Sequence, residues 1–317
     1  MANEITSIVA AAGWPTNTVK GAWDLAFHTA LNAMPVCRQL VDVRPQRPTH
    51  RGDSVTLQIT NNFSEATITA WKTPLAEESD VDSTRIPATS TVVLTPAEYG
   101  GASTRTLKLA NRSMVPVDPE IVRDLADGCG KVADELLQDQ MVTGTQVYRG
   151  GNKATTNLIT AADTLNAAIL RKAYTKLHTN QVQTRDGEFY VAVVHPHVVY
   201  DLRTETGSGS WRVPQEYGTD QRRIYTGEIG EFEGFRFLQN PRTRNANDGA
   251  SSAQVYRSFF LGREALAEAV VTEAGTVLSP QVDKLRRFNT VGWYMDLAFK
   301  IFRDQAIVRS ETGTAMS

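Results

Sequence analysis

Residues 118–142 read DPEIVRDLADGCGKVADELLQDQMV, and they set the scale of the fold. Asp118 suits a helix N-cap, Pro119 fits the first turn, and Glu120 complements the positive end of the dipole. Ile121, Val122, Leu125, Cys129, Val132, Leu136 and Leu137 then fall on one helical stripe, which Thr143-Gly144 ends. The spacing predicts a helix over 118–142, the clearest in the chain. Its interior Gly128 and Gly130 each cost roughly 1 kcal/mol relative to alanine, so close packing or a bend is expected there.

Upstream, Trp23, Phe27, Ala30, Leu31 and Met34 recur at helical spacing within 18–34, and Pro35 closes that run. RPQRPTHRGD (44–53) follows, with prolines and mixed charge, and reads as an extended arm. From Ser54 the period changes to two: Val55, Leu57 and Ile59 alternate with polar residues, Asn61-Asn62 punctuates, and a second strand is expected through Ala66, Ile68 and Ala70 to Trp71. The polar stretch PLAEESDVDSTRIPATS (74–90), carrying Glu77, Glu78, Asp80 and Asp82, precedes renewed strand character at TVVL (91–94). Two strands that project and return around a polar tip have almost no core of their own, so a neighbouring subunit is expected to support them.

Downstream, a second helix is expected over 163–178, starting at Asp163 and burying Leu165, Ala168, Ile169, Ala173 and Leu177. EFYVAVV (188–194) is a continuous apolar run between polar flanks, the pattern of a buried strand. A further helix begins at Pro196; FEGFRFLQN (232–240), QVYRSFFLG (254–262), AEAVV and WYMDLAFKIF are further strands, and 206–226 is a long loop. No internal repeat occurs. Long helices with scattered strands define an α+β chain.

Composition narrows the function classes. At 317 residues the chain exceeds a typical single domain, so two lobes or one elaborated domain is expected. Its 41% hydrophobic and 21% charged residues are those of a folded globular protein, and a formal charge of −2 argues against broad electrostatic binding of nucleic acid or anionic membrane. Cys37 and Cys129 form no CxxC and no zinc spacing, which suits a reducing compartment. No signal-peptide pattern and no membrane-length apolar run is present, so no membrane role is expected.

The candidate chemistry concentrates in VHPHVVYDLR (194–203), because two of only five histidines flank Pro196. Chelation needs both rings on one side, whereas residues two apart on a helix point roughly 200° away from each other. With Pro196 in the first turn, His195 and His197 read as separate neighbours at a strand-to-helix corner; Val198, Val199 and Leu202 face inward, and Asp201 and Arg203 face water. A metal-dependent enzyme using this pair is the competing class. Arg51-Gly52-Asp53-Ser54 reads as a turn feeding a strand and not as an adhesion motif. GEIGEFEG (227–234) lacks phosphate-loop spacing, and no GxSxG, GxxxxGK or kinase signature occurs, so no catalytic residue, cofactor or metal is expected. Arg222-Arg223 and Lys284-Leu285-Arg286-Arg287 are small basic patches suited to solvent or to a subunit neighbour.

The order of elements (arm, two-stranded excursion, long helix, α/β region, C-terminal strands) resembles the major capsid proteins of tailed bacteriophages with the Hong Kong 97-like fold, most of all the branch of the coliphage N-four coat protein. The stretches that carry it are RGDSVT (51–56), TSTVVLTPAEYGGA (89–102), HPHVVYDLR (195–203), GEIGEFEGFRFLQNPRT (227–243) and RFNTVGWYMDLAFKIFRDQAIVRSET (287–312). The resemblance implies an N-terminal arm over 1–50 and an extended loop over 51–90. It implies a peripheral domain over 91–159 plus 263–317, with 118–142 as spine helix, and an axial domain over 160–262. It further implies a structural protein whose hexamers and pentamers tile an icosahedral virion shell, assembled in the host cytoplasm around double-stranded DNA held only by non-specific proximity. Scaffolding, portal and decoration proteins are the partners such a shell meets, with any scaffold supplied separately. A bacterial nanocompartment shell of the same fold is the near alternative. Inter-subunit contacts are expected at Arg51, Asp53, Trp71, Lys72, Glu77, Glu78, Asp80, Asp82, Arg222 and Arg223, and flexure of the spine helix at Gly128 and Gly130. Some relatives cross-link lysine to asparagine; Lys72 and Asn289 are so placed, but nothing marks a buried catalytic acid beside them.

Overall fold

A computed structural model describes residues 36–45, 53–75, 77–78, 80–81, 83–112, 117–185, 187–205, 228–279, 285 and 287–316. The expected helix at 18–34 and the loop at 206–226 lie outside these, as do Arg51, Asp82, Arg222, Arg223, Lys284 and Arg286. The excursion comprises β1 (Val55–Ile59), α1 (Glu65–Trp71) and β2 (Ser90–Leu94). β3 (Ala97–Thr106), α2 (Leu107–Arg112) and α3 (Val117–Val142) follow, then β4 (Val147–Arg149), α4 (Ala167–Thr179), β5 (Tyr190–Val194) and α5 (Pro196–Thr204). The chain continues through β6 (Glu228–Phe232), β7 (Phe235–Gln239), β8 (Asn245–Ala246), β9 (Val255–Leu261), β10 (Leu266–Ser279), β11 (Phe288–Ile301) and β12 (Ile307–Thr312).

Three sheets organise these elements. β1 and β2 form an antiparallel ribbon, β10-β11-β3 an antiparallel three-stranded sheet, and β4-β12-β9-β5-β7-β6 the path of a mixed larger sheet, with β8 paired to β9. The long helix α3 joins the last two. Cys129, Ala133, Leu137 and Met141 pack against Val191, Val193 and Phe259 of the larger sheet and against Met295, Leu297 and Phe299 of the three-stranded one. The opposite face of the larger sheet is covered by α4 and α5, whose Leu170, Ala173, Leu177, Val198 and Leu202 meet Tyr190, Ala192, Phe235 and Phe260. This sandwich explains the unbroken apolar run of β5. Its odd and even residues each face a helical layer, so all five are buried.

Local chemistry sets the boundaries. The helix expected at 163–178 begins at 167, because Asn166 is the N-cap and accepts the Ile169 N–H at 3.0 Å. Asp163 instead closes the preceding loop by accepting from the N–H and hydroxyl of Thr160, both at 2.8 Å. Asp118 is likewise not the N-cap of α3 but its second residue. β6 and β7 are joined by Glu233-Gly234, both at positive φ, a two-residue hairpin turn. Gly234 is required there twice over, since a Cβ would also stand 2.3 Å from the Tyr174 ring.

Gly128 corrects an expectation. A Cβ added to it meets nothing within 4 Å, so close packing does not account for this glycine. Gly128→Ala is therefore expected to stabilise the chain by about 0.5–1 kcal/mol through helix propensity, read as a raised denaturant midpoint. A destabilised variant would mean that α3 needs the glycine's backbone freedom even in the free subunit.

The segment 36–45 is held firmly to this body. Cys37 and Leu40 are buried, and Val43 bridges Ala267 in parallel at the edge of β10. Arg38 and Arg44 converge on the buried Glu268 at 2.6 and 3.2 Å, and Arg185 bonds Asp42 and the Leu40 carbonyl. Both cysteines are free and buried, and burial pushes the Cys37 thiol well up.

Candidate functional site

The excursion differs from the rest of the chain in how little it buries. β1 and β2 pair from Val55↔Leu94 to Ile59↔Ser90, so the ribbon is real, but its return strand is 90–94 and not 66–71. Residues 65–71 are helical, which corrects the expected second strand. Ser64 caps α1 by accepting the Thr67 N–H at 3.3 Å, and Glu65 sits in its first turn. The alternation of Ala66, Ile68 and Ala70 carried no weight because no face of this segment is buried, and burial is what enforces a period-two pattern.

The base of the ribbon is anchored to the body. Leu94 is buried with Ala267 and Ala269, and Lys300 donates to the Val93 carbonyl at 3.0 Å. Beyond it, Trp71 is 51% exposed although Phe63 meets it edge-on at 4.8 Å, and Leu75 and Ile86 are over 70% exposed. Asp53, Lys72, Glu77, Glu78 and Asp80 are exposed beside them. Of the described contact candidates, Trp71, Lys72, Glu77, Glu78 and Asp80 thus lie on the exposed part of the excursion, Asp53 precedes β1 at its base, and Gly128 and Gly130 lie apart on α3. Leu75 and Ile86 were passed over in the sequence because they are isolated within a polar stretch; an apolar residue repeated in an acidic loop was the available signal.

A second exposed apolar region lies at the far end of the three-stranded sheet. Leu107, Leu109 and Phe288 are about half exposed, and Leu285 more so. Their neighbours in sequence, Arg105, Lys108, Arg112 and Arg287, are basic. Between this end and the body, Gly100, Gly101, Ala102, Gly292, Val277 and Trp293 line an open, apolar groove of about 410 Å³. The groove exists because glycines replace side chains on two paired strands: Gly101 lies opposite Trp293 and Gly292 opposite Ala102.

The histidine corner is not as expected. Pro196 does open α5, and His195 is its N-cap, with Nδ1 accepting the His197 N–H at 3.1 Å. But the cap residue is extended (ψ 148°), so the helical 200° separation does not apply, and the two rings meet edge-to-face at 4.7 Å. Tyr256 completes the group: its ring lies 4.7 Å from His195 and its hydroxyl 3.0 Å from His197 Nδ1. Asp201, expected to face water, is buried and accepts the Ala315 N–H, so it clamps the C-terminal segment; burial raises its carboxyl pKa, opposed by Thr314 and Ala315. Among the described residues no group of three or more His, Cys, Asp or Glu is placed to hold a metal ion.

Burial, with the adjacent His197 in second place, lowers the His195 pKa to about 4, against a small opposing effect of a hydrogen bond to Pro241. The folded value lies below the unfolded one, near 6.5. The contribution of neutral His195 is therefore complete above pH 6.5 and is lost as pH falls from 6.5 toward 4. His195→Asn keeps a capping acceptor but cannot titrate. Between pH 7 and pH 4.5 the wild-type chain should lose about 2–3 kcal/mol more stability than this variant, measured by denaturant titration at each pH. Parallel pH profiles would refute the assignment.

The comparisons with known proteins follow the same architecture. The family model described as phage capsid protein matches residues 140–300. This chain belongs to that family. Among solved structures, the capsid chain of Ralstonia phage GP4 is similar with a TM-score of 0.73 at 16% identity, over 96% of this chain and 98% of that one. The capsid chain of cyanophage Pam1 gives 0.70 at 15% identity, over 96% and 99%. That of cyanophage P-SCSP1u gives 0.70 at 10%, over 94% of each. No protein of curated function matches in sequence. The capsid-family α+β fold, which resembles that of Hong Kong 97-type proteins, thus extends over nearly the whole chain, excursion included. Among the described residues the excursion and the exposed sheet end are two apolar surfaces that a lone chain leaves uncovered.

Proposed function

We propose that the chain is the major capsid protein of a tailed bacteriophage and self-assembles, as hexamers and pentamers, into an icosahedral head around double-stranded DNA. The observation that carries this is the family match joined to an excursion whose Trp71, Leu75 and Ile86 stay exposed in the lone subunit. In this reading 1–50 is the N-terminal arm, 51–90 the extended loop, 91–159 with 263–317 the peripheral domain, and 160–262 the axial domain. The placement in the N-four coat-protein branch rests on the sequence stretches quoted above.

The excursion of one copy lies over the peripheral domain of the next. Charge supports the direction: 60–89 carries five acidic residues against Lys72 and Arg85, while Arg105, Lys108, Arg112 and Arg287 ring the apolar sheet end. Desolvating Trp71, Leu75 and Ile86 against that end supplies the affinity, and the charges supply register. The near-neutral chain suits a wall that encloses DNA without gripping it. Portal, scaffolding and decoration proteins are partners of the assembled shell. Electron microscopy of the purified protein tests the reading. Closed shells tens of nanometres across, with nuclease-protected DNA in those from infected cells, are expected; shells carrying protein cargo instead would indicate a nanocompartment, and a small discrete oligomer would overturn both.

A further inference from the structure

We infer that the arginine cluster at the β4–β12–β9 end of the larger sheet is a binding site for a small inorganic oxyanion such as phosphate. Three strands build it. Glu311 on β12 lies opposite Arg257 on β9 and Arg149 on β4, and Arg309 stands two residues earlier on the same face. All three guanidiniums converge on this one buried carboxylate: Arg149 Nε at 2.9 Å, Arg309 Nη2 at 3.1 Å and Arg257 Nε at 3.9 Å. Asp248 pairs with the far side of Arg257.

The count does not close. Three cations meet two carboxylates, and the Arg257 and Arg309 side chains are only 11% exposed. Arg309 Nε and Nη1 and Arg257 Nε find no hydrogen-bond partner within the chain, against a single idle acceptor oxygen, Asp248 Oδ1, in the same group. A buried, under-neutralised guanidinium with idle donors is costly, and native structures normally satisfy such donors by an ion or water. Burial lowers the Arg309 pKa; Glu311 opposes this, and Arg257 and Arg149 lower it further. One more negative charge restores balance, and planar N–H donors match the oxygens of an oxyanion better than they match water.

The cover over the site limits what enters. Residues 150–158 are tied down by Arg149 Nη1 donating to the Ala154 carbonyl at 2.9 Å and by the Thr156 hydroxyl donating to Glu311 at 2.7 Å. A loop so held against Glu311 disfavours a ligand as bulky as a duplex backbone. The inference concerns the single chain and does not rest on the shell-forming reading.

The test uses purified full-length chain and compares phosphate with chloride at matched ionic strength. Phosphate at tenfold excess over its dissociation constant should raise the unfolding midpoint by about 2 °C beyond chloride. Arg309→Met removes the excess charge and two idle donors, and should abolish that difference. Equal effects of phosphate and chloride, or an undiminished response in Arg309→Met, overturn the site. If a short DNA duplex reproduces the phosphate effect and competes with it, the ligand is a phosphodiester and the small-ion assignment fails. Should Arg309→Met not fold, a phosphorus NMR titration of the wild-type chain decides: saturable broadening supports the site, and its absence removes it.

Discussion

Replacing Trp71 with alanine should raise the protein concentration needed for shell assembly by about 30-fold or more, while the unfolding midpoint of the free chain barely moves. Trp71 is half exposed, and α1 buries none of its residues, so the fold itself gains little from the side chain. A large aromatic at the centre of a buried interface typically carries 2 kcal/mol or more, which converts to about that factor. Phe63 holds the indole edge-on, which limits the entropy lost on docking. Light scattering of assembly against concentration reads the effect, and circular dichroism melts of the unassembled chain supply the control. Assembly at the wild-type threshold would remove the excursion from the interface.

The second large effect concerns the junction beneath the N-terminal segment. Asp134 of α3 is buried and accepts from the Cys37 N–H at 2.7 Å, from Gln138 Nε2 at 2.9 Å and from Asn240 Nδ2 at 3.1 Å. One carboxylate thereby joins the segment 36–45, the long helix and the loop after β7. Asp134→Ala takes the acceptor from the Cys37 N–H and Gln138 Nε2 and leaves Asn240 Nδ2 only its weak bond to the Cys37 sulfur, and should cost about 3 kcal/mol in denaturant unfolding. Because one of those donors is the backbone of Cys37, the segment should also loosen, and trypsin should cut after Arg38 faster than in the wild-type chain. Asp134→Asn keeps the shape and one acceptor, so it should cost less than half as much. Equal, small effects of both substitutions would show that the junction is held by packing alone.

How much was legible beforehand varied with the cause of each feature. The α+β class, α3, β5 and the Pro196 corner were readable because periodicity, an apolar run and a proline are local signals. α1 was misread as a strand, since period two means something only where one face is buried, and this segment has no buried face. The start of α4 was misplaced because Asp163 and Asn166 are both good caps, and only the neighbouring loop decides which is used. The candidate site was half legible. Trp71, Lys72 and the acids were named from their place on an unsupported excursion, whereas the glycine-floored groove and the exposed leucines of α2 needed strand register and exposure.

The histidine pair shows where the division falls. The sequence by itself determined that Pro196 starts a helix and that His195 stands at its edge, because a proline ring restricts its own φ and its predecessor without help from the rest of the chain. It likewise determined the charge balance, the long helix and the exposed excursion's polarity. Only the tertiary structure decided that the two rings touch, that Tyr256 from a strand 59 residues away joins them, and that Asp201 faces the C-terminal segment instead of water. It also decided that three arginines share one glutamate. Those outcomes depend on which strands become neighbours, and strand pairing is a long-range choice set by burial of whole faces, which no short stretch encodes.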